Sequence, residues 1–590
     1  MKKSIILATT LCSVMLLAAC GGNSSNKQSQ KKEQVDASSL PIKTDNKKKA
    51  LKGGELEVGV VTDSQFKGVF SPEYYQDAYD FTFMNPAVES LFSTDGDFKI
   101  TNDGAATFNL DKDKKVVTIK LKDNVKWSDG KPVTADDLIF PYEVIANKDY
   151  TGVRYDSTMA QIVGIEEYHE GKANTISGIK KVDDQTISVQ FKEINPSIEW
   201  GDGIWTYAMP KHAFEGVAIK DMESSDAIRK HPLFFGPYVM SKIVPGESVE
   251  FTANEYYWNG KPNIEKITFK AVPSSSAIEA LKAKQFDMML SMPTADYTKY
   301  KDVKGYTYLG RPELSYTYLG FKLGKWNDET KSVETNPNAK MADKALRQAM
   351  GYAVDNDAVG KQFYAGLRSN ANSLIPPVFK TLYDSSLKGY TYDEKKANEL
   401  LDKAGYKDVD GDKIREDKKG KKLTIKFASM DGGDIAQPLA EYYIQQWKKI
   451  GLDVQLTNGR LLEFNSFYEK LKSDDPEIDV YQAAWGTGTN PDPSGLYGAT
   501  AQFNYTRFAS EENTKLLNNI LSEKAFDSKY QKNAYCKWQE YASDEAYVIP
   551  TLFRNEVLPV SERVVNWDWS YEPESNVNNW ATVGVSSEKR

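Results

Sequence analysis

The chain has 590 residues, 40% of them hydrophobic and 12% aromatic, and a formal net charge of −8. That length exceeds what one hydrophobic core serves, so two or three domains are expected, and the apolar fraction is enough to fill them. The acidic balance, with no basic stripe to offset it, argues against nucleic acid or an anionic membrane surface as the ligand.

The chain opens with Lys2 and Lys3, then an apolar run from Ile5 to Ala19 too short to span a bilayer comfortably, closing on Leu17-Ala18-Ala19-Cys20. This is the pattern of a secretory signal over 1–19. Its end resembles the lipobox of bacterial lipoproteins, which implies that the Cys20 thiol carries the acyl chains and that the rest of the chain sits outside the cytoplasmic membrane. Residues 20–52, rich in Gly, Ser, Asn, Lys and Gln, read as a flexible tether. No later stretch reaches the length of a membrane span, so the body is expected to be soluble. Of the three cysteines, Cys12 leaves with the signal and Cys20 is the anchor. Cys536 then has no partner for a disulfide, and it reads as a small buried hydrophobe in a helix.

Glu55 to Val61 alternates as a first strand, and Val116 to Leu121 as another. A helix starts at Thr134, where Thr134-Ala135-Asp136-Asp137 offers a cap and first-turn acids. Lys180 to Phe191 reads as a hairpin turning at Asp183-Asp184, and Gly236 to Phe269 as strands around the turn Val244-Pro245-Gly246-Glu247. After a helix over Ser274 to Lys284 comes an α/β half. It has helices at Asp343 to Asp355, Asp393 to Ala404 and Ile435 to Ile450, and strands at Leu423 to Ala428 and Leu452 to Leu456. Helices alternating with strands predict a partly parallel sheet. Tyr547 to Trp569 is strand-like and is expected to return to the first domain.

Three segments point to one family. They are Lys122-Asp123-Asn124-Val125-Lys126-Trp127-Ser128-Asp129-Gly130-Lys131-Pro132-Val133-Thr134-Ala135-Asp136-Asp137; Gly236-Pro237-Tyr238 with Asn254-Glu255-Tyr256-Tyr257-Trp258-Asn259-Gly260-Lys261-Pro262; and Ala345-Leu346-Arg347-Gln348-Ala349 with Tyr352-Ala353-Val354-Asp355. Together they resemble the extracytoplasmic solute-binding proteins of peptide and nickel ABC importers. The resemblance runs from Gly53 to about Val585. Through Asn372-Ser373-Leu374-Ile375-Pro376-Pro377 and Tyr443 to Gly451 it is nearest to the oligopeptide-binding lipoproteins of Gram-positive bacteria.

The resemblance implies a mixed α/β fold of the periplasmic-binding-protein type: two lobes, a two-stranded hinge, and an extra small domain on the first lobe. The implied division is lobe I at 53–62, 200–315 and 548–590, the extra domain at 63–199, and lobe II at 316–547. It also implies oligopeptide ligands, ABC permease subunits as partners, a monomer, no cofactor and no catalytic residue.

For ligand contacts the segment Ala483 to Pro493 resembles the family's GW-x-AD-Y-x-x-P, whose Trp borders the peptide cleft and whose Asp pairs with the peptide α-amino group. Trp485 aligns plainly, but the acidic position falls on Gly488, and only an insertion brings Asp492 into the role. The candidate contacts are therefore Trp485, Gly488, Asn490 and Asp492. Main-chain pairing to an extended peptide would add affinity independent of sequence.

Three alternatives stay open: a signalling peptide, a nickel chelate or an oligosaccharide in the same trap. A surface hydrolase is disfavoured, since neither a G-x-S-x-G elbow nor a zinc-protease helix is present. His169, His212 and His231 have no ligand spacing. Asp408-Val409-Asp410-Gly411-Asp412 resembles the start of a calcium loop, but the sixth and twelfth positions are Lys413 and Lys419 in place of Gly and Glu, so a charged turn is expected.

Overall fold

In the computed structural model of the protein the described residues are 37–156, 158–201, 203–571 and 578–588. The signal, Cys20 and the first part of the tether lie outside them.

The frame is one mixed sheet shared by two lobes. Its order is Asp453–Leu456, Thr424–Ala428, Val480–Gly486, Tyr306–Phe321, Val548–Ser561, Met288–Leu290, Glu55–Val61, Lys266–Val272, Ser248–Ala253, Tyr238–Val244. Two strands, Tyr306–Phe321 and Val548–Ser561, are long enough to belong to both halves. Their pairing slips between Pro312 and Tyr316, so that Glu313, Leu314 and Ser315 oppose the single residue Arg554. A bulge of this kind bends and twists the strand locally, and here it marks where the strand changes neighbours. Up to Pro312 it pairs only with the returning strand, and from Ser315 it also pairs with Val480–Gly486.

The parallel pairing expected of the second half is found there, and the first half carries parallel pairs as well. Glu55–Val61 runs parallel to Lys266–Val272 and Met288–Leu290, and Thr424–Ala428 runs parallel to Asp453–Leu456 and Val480–Gly486. Helix Ala436–Lys449 makes one crossover and buries Tyr443 and Trp447 against Phe427. The second lobe's core is drawn from residues between Tyr316 and Phe553, and the first lobe's from Leu56 to Val88, Phe234 to Leu309 and Leu558 to Val585.

The small domain carries its own antiparallel sheet: Ala106–Asp111, Val116–Leu121, Thr186–Gln190, Ile179–Lys181. Helix Ala135–Ile145 covers it and begins with a capping box, Asp137 Oδ2 accepting the Thr134 N–H at 2.9 Å. The same carboxylate accepts from the buried Trp127 indole at 3.3 Å, which explains the Trp-to-Asp spacing of that motif as a fold device. Its core also takes Ile204, Ala208 and Phe235, from beyond residue 199.

Two expectations are corrected. Residues 40–51 are not free tether: the Gly310 N–H donates to the Pro41 carbonyl (2.9 Å), Trp569 N–H to Ile42 (3.0 Å), Thr44 N–H to Trp567 (2.9 Å) and Leu51 N–H to Val585 (2.8 Å). The cause is the apolar Leu40-Pro41-Ile42 within a polar tract. It covers the strand edge that Tyr306–Phe321 leaves open in the first lobe, and Gly310 makes room, since a Cβ there would stand 2.7 Å from Leu40. Cys536 lies in helix Ser528–Glu545 as expected but is only half-buried, because its neighbours Tyr535 and Trp538 take the inward positions. Burial still pushes its thiol pKa up, away from reactivity.

Candidate ligand cleft at the hinge

Trp485 and Gly486 are the last residues of Val480–Gly486, paired with Tyr316 and Ser315. The pairing reaches one step further, where Thr487 N–H donates to the Leu314 carbonyl at 2.8 Å. The chain therefore leaves the sheet at the bulge, where the two lobes meet. Strand alternation turns Tyr481 and Ala483 inward and leaves Trp485 half-buried at the end of that row.

Trp485 lies in a stack of aromatic rings, parallel to Tyr318 (6.3 Å, 10°) and to Tyr505 (5.8 Å, 20°), with Phe503 edge-on at 5.7 Å. Phe503 is 54% exposed. The loop that carries Phe503 and Tyr505 is held by interior charges. Lys322 Nζ donates to the Tyr505 carbonyl (2.9 Å), and Asp474 accepts from Arg507 Nε (2.7 Å) and from Trp326 N–H (2.7 Å). Burial pushes the Lys322 ammonium down to about 8 despite the pull of Asp474.

The structure separates the other three sequence candidates. Gly488 is exposed at φ +61°, and a Cβ there would meet nothing within 4 Å, so the position faces open space with no side chain to anchor a ligand. Asn490 Oδ1 accepts the Asp492 N–H (3.0 Å), and Asp492 Oδ1 accepts the Ser494 N–H (2.9 Å), a relay of side-chain turns leading into the short helix Ser494–Tyr497. Burial pushes the Asp492 carboxyl up, and its charge is felt by the buried Tyr535. Asp492 is thus engaged with its own backbone.

Sequence reasoning missed a set of charges at the crossing point. Arg311 Nε meets Glu556 Oε1 at 2.5 Å, and Arg554 Nε meets Glu313 Oε2 at 3.1 Å. Arg311 also lies over the rings of Trp569 and Tyr571, 4.4 and 4.6 Å from their centroids. The signal was present: both hinge strands carry Arg-x-Glu, and antiparallel pairing crosses the two. Gly310 and Pro312 interrupt the strand pattern of Tyr306 to Phe321, so the crossing is not visible in the sequence alone.

The histidines lie on separate elements. His169 stacks on Tyr155, His212 Nε2 meets Asp129 at 2.9 Å, and His231 is exposed. In the acidic turn Asp408, Asp410 and the buried Glu416 bring carboxylate oxygens within 4.8 Å of one another. Backbone N–H groups of Gly411, Lys413 and Val409 donate to Asp408 and Glu416 there, as a charged turn requires.

A sheet shared by two lobes, crossed by two strands that bend at a bulge and lined there by a rigid aromatic group, defines a hinged solute-binding protein. The chain belongs to the bacterial extracellular solute-binding proteins, family 5, whose middle-region model matches residues 99–507. The oligopeptide-binding protein OppA of Lactococcus lactis subsp. lactis is 38% identical over 99% of this chain and 98% of its own. AppA of Bacillus subtilis (strain 168), also an oligopeptide-binding protein, is 26% identical over 90% of this chain and 91% of its own. The solved structure of lactococcal OppA, complexed with an endogenous peptide in the closed conformation, matches with a TM-score of 0.79 and covers 90% of this chain and 100% of that one. Among the described residues no helix is long and apolar enough to cross a membrane.

Proposed function

We propose that this chain is the lipid-anchored binding subunit of an ABC importer, capturing extracellular oligopeptides between its lobes and delivering them to the permease. The observation that carries the reading is the exposed end of Val480–Gly486 at the hinge. Gly486 and Gly488 are both exposed, and neither puts a side chain between an approaching peptide and the main chain. An extended peptide lying there gains main-chain hydrogen bonds whatever its sequence, while Trp485 and Phe503 offer apolar cover. The 38% identity to an oligopeptide-binding protein over nearly the whole chain supports the same reading.

No side chain stands at Gly488 and Asp492 is turned to its backbone, so the proposed peptide amino group has no single anchoring carboxylate among the four candidates. Register along the cleft is then loose, which suits peptides of varied length. Closure of the lobes buries the peptide and excludes water, and contacts made only in the closed state shift the population toward it. The separate cores support a division into lobe I, an extra domain and lobe II, but with the extra domain starting near Leu91, since Phe66 to Val88 pack into the first lobe. The proposed tether ends before Ala37, which packs against a core of the body. The working unit is a monomer on the outer face of the cell membrane.

Native mass spectrometry of the purified protein tests the reading. Peptide masses bound at one per chain are expected, and Trp485→Ala should weaken their retention. A nickel chelate or an oligosaccharide in their place would refute the peptide assignment.

A further inference from the structure

The small domain reaches the second lobe through the tip of one hairpin. Ser93–Thr94 pairs with Ile100–Thr101, and the turn between them presents Phe98. Phe98 is only 2% exposed, yet it contributes nothing to its own domain's core. It sits instead in the core of the second lobe, where among the described residues Phe98 and Trp200 are the only buried members from outside residues 316–553. Its ring lies 5.4 Å from Phe379 of that lobe and 5.2 Å from Tyr571, whose hydroxyl donates to the Pro312 carbonyl at the hinge bulge (2.7 Å).

The hairpin is built to hold the ring in this position. Asp95 Oδ1 accepts the N–H groups of Asp97 and Lys99, both at 2.9 Å, and the Asp95 carbonyl accepts from Phe98 N–H at 2.9 Å. Trp200 Nε1 donates to the Asp97 carbonyl (2.8 Å), and Lys99 pairs with Glu199 at 2.9 Å. Phe98 itself stands at φ +64°. That is a left-handed conformation in which a bulky residue is strained and glycine or asparagine is at ease. Local chemistry therefore disfavours phenylalanine here, and the reason for the ring lies in its distant seat. A rotation that parted the small domain from the second lobe would withdraw Phe98 from beside Phe379, putting its ring into water and leaving a gap there.

We propose that Phe98 is the latch of the closed state, a positioning residue of the small domain that docks into the second lobe across the hinge and sets how slowly a captured ligand escapes. The ligand part of this statement rests on the peptide reading above, whereas the latch itself does not. A second contact is made by Phe526 of the second lobe, which is half-buried against the small domain's core and lies 3.9 Å by its ring centroid from Lys112 Nζ.

Phe98→Asn removes the ring and keeps a residue that accepts the left-handed backbone, so the hairpin survives. The probe is a fluorescein-labelled nonapeptide of mixed sequence. Its dissociation rate is expected to rise at least tenfold in Phe98→Asn, with the association rate within threefold of the native value. Phe379→Ala should accelerate release similarly, and the double variant should add little to either. Small-angle scattering of the ligand-free proteins should give a larger radius of gyration for Phe98→Asn than for the native chain. A rise in release of less than threefold, or equal radii in the two ligand-free proteins, overturns the latch. If the nonapeptide fails to bind the native protein, the peptide reading falls and the scattering comparison alone decides the latch.

Discussion

Asp492→Asn separates an anchoring carboxylate from a structural one. In the folded chain Asp492 Oδ1 accepts the Ser494 N–H, and the Asn490 side chain accepts the Asp492 N–H. Asparagine keeps an oxygen in the same place, so both turns persist and the fold should change by less than about 1 kcal/mol, the worth of an ordinary hydrogen bond. Asp492→Ala, which loses the acceptor, should be destabilised by about 1 kcal/mol. Because burial raises the Asp492 pKa above that of an exposed aspartate near 3.9, its ionised form is the disfavoured one in the fold. That penalty is absent below the unfolded pKa and grows as pH rises through the folded value. Asp492→Asn should therefore melt slightly higher than the native protein at pH 7, with the difference gone by about pH 4. Binding is the decisive measurement. Calorimetry with one peptide and its N-acetylated twin should show each within about 1.4 kcal/mol, a factor of ten, for native and Asp492→Asn alike. A loss on the order of 2 kcal/mol or more in Asp492→Asn, reproduced by acetylation, is the signature of a charge-assisted contact left unpaired. It would refute the argument that this carboxylate serves only its own backbone.

Three further outcomes are expected. Glu89, which accepts from the Trp258 indole at 2.8 Å, is pushed by burial up to about 7, so the fold should gain on the order of 2 kcal/mol as pH falls from 8 toward 4.5; melting curves of Glu89→Gln should lose that slope. A double-mutant cycle of Arg311→Ala and Glu556→Gln, read by denaturant unfolding, should give a coupling of about 1 kcal/mol, and additivity would show that the 2.5 Å pair contributes nothing to the hinge. Cys20→Ala should release the protein from membranes, since each buried acyl methylene is worth about 0.8 kcal/mol, and a variant that still pelleted after a salt wash would contradict the lipid anchor.

Local signals carried the elements. Alternation marked Glu55–Val61 and Val116–Leu121, and the Thr134 cap with Asp137 three residues on placed the start of Ala135–Ile145. Period-2 and period-3.6 patterns depend only on neighbouring residues, and so does the order of helices and strands that predicted parallel pairing in the second half. Trp485 was legible for the same reason, as the end of an apolar strand row inside a recognisable segment.

What the sequence could not show was decided by contacts between residues far apart. The two hinge strands are separated by more than two hundred residues, so the crossing of Arg311-x-Glu313 with Arg554-x-Glu556 exists only once their register is set. Asp492 read as a possible anchor because its residue type permits it, and only the fold turns its oxygen to Ser494. Phe98 looks like a misplaced apolar residue on a polar turn until the second lobe supplies its seat. By itself the sequence determined most of the elements, because these follow from short-range pattern and burial preference, and the family resemblance of its motifs implied the two-lobed class. Which charges face each other, which acid is already engaged and which ring closes the lobes were left to tertiary structure, since an ion pair or a buried contact is a property of position in space.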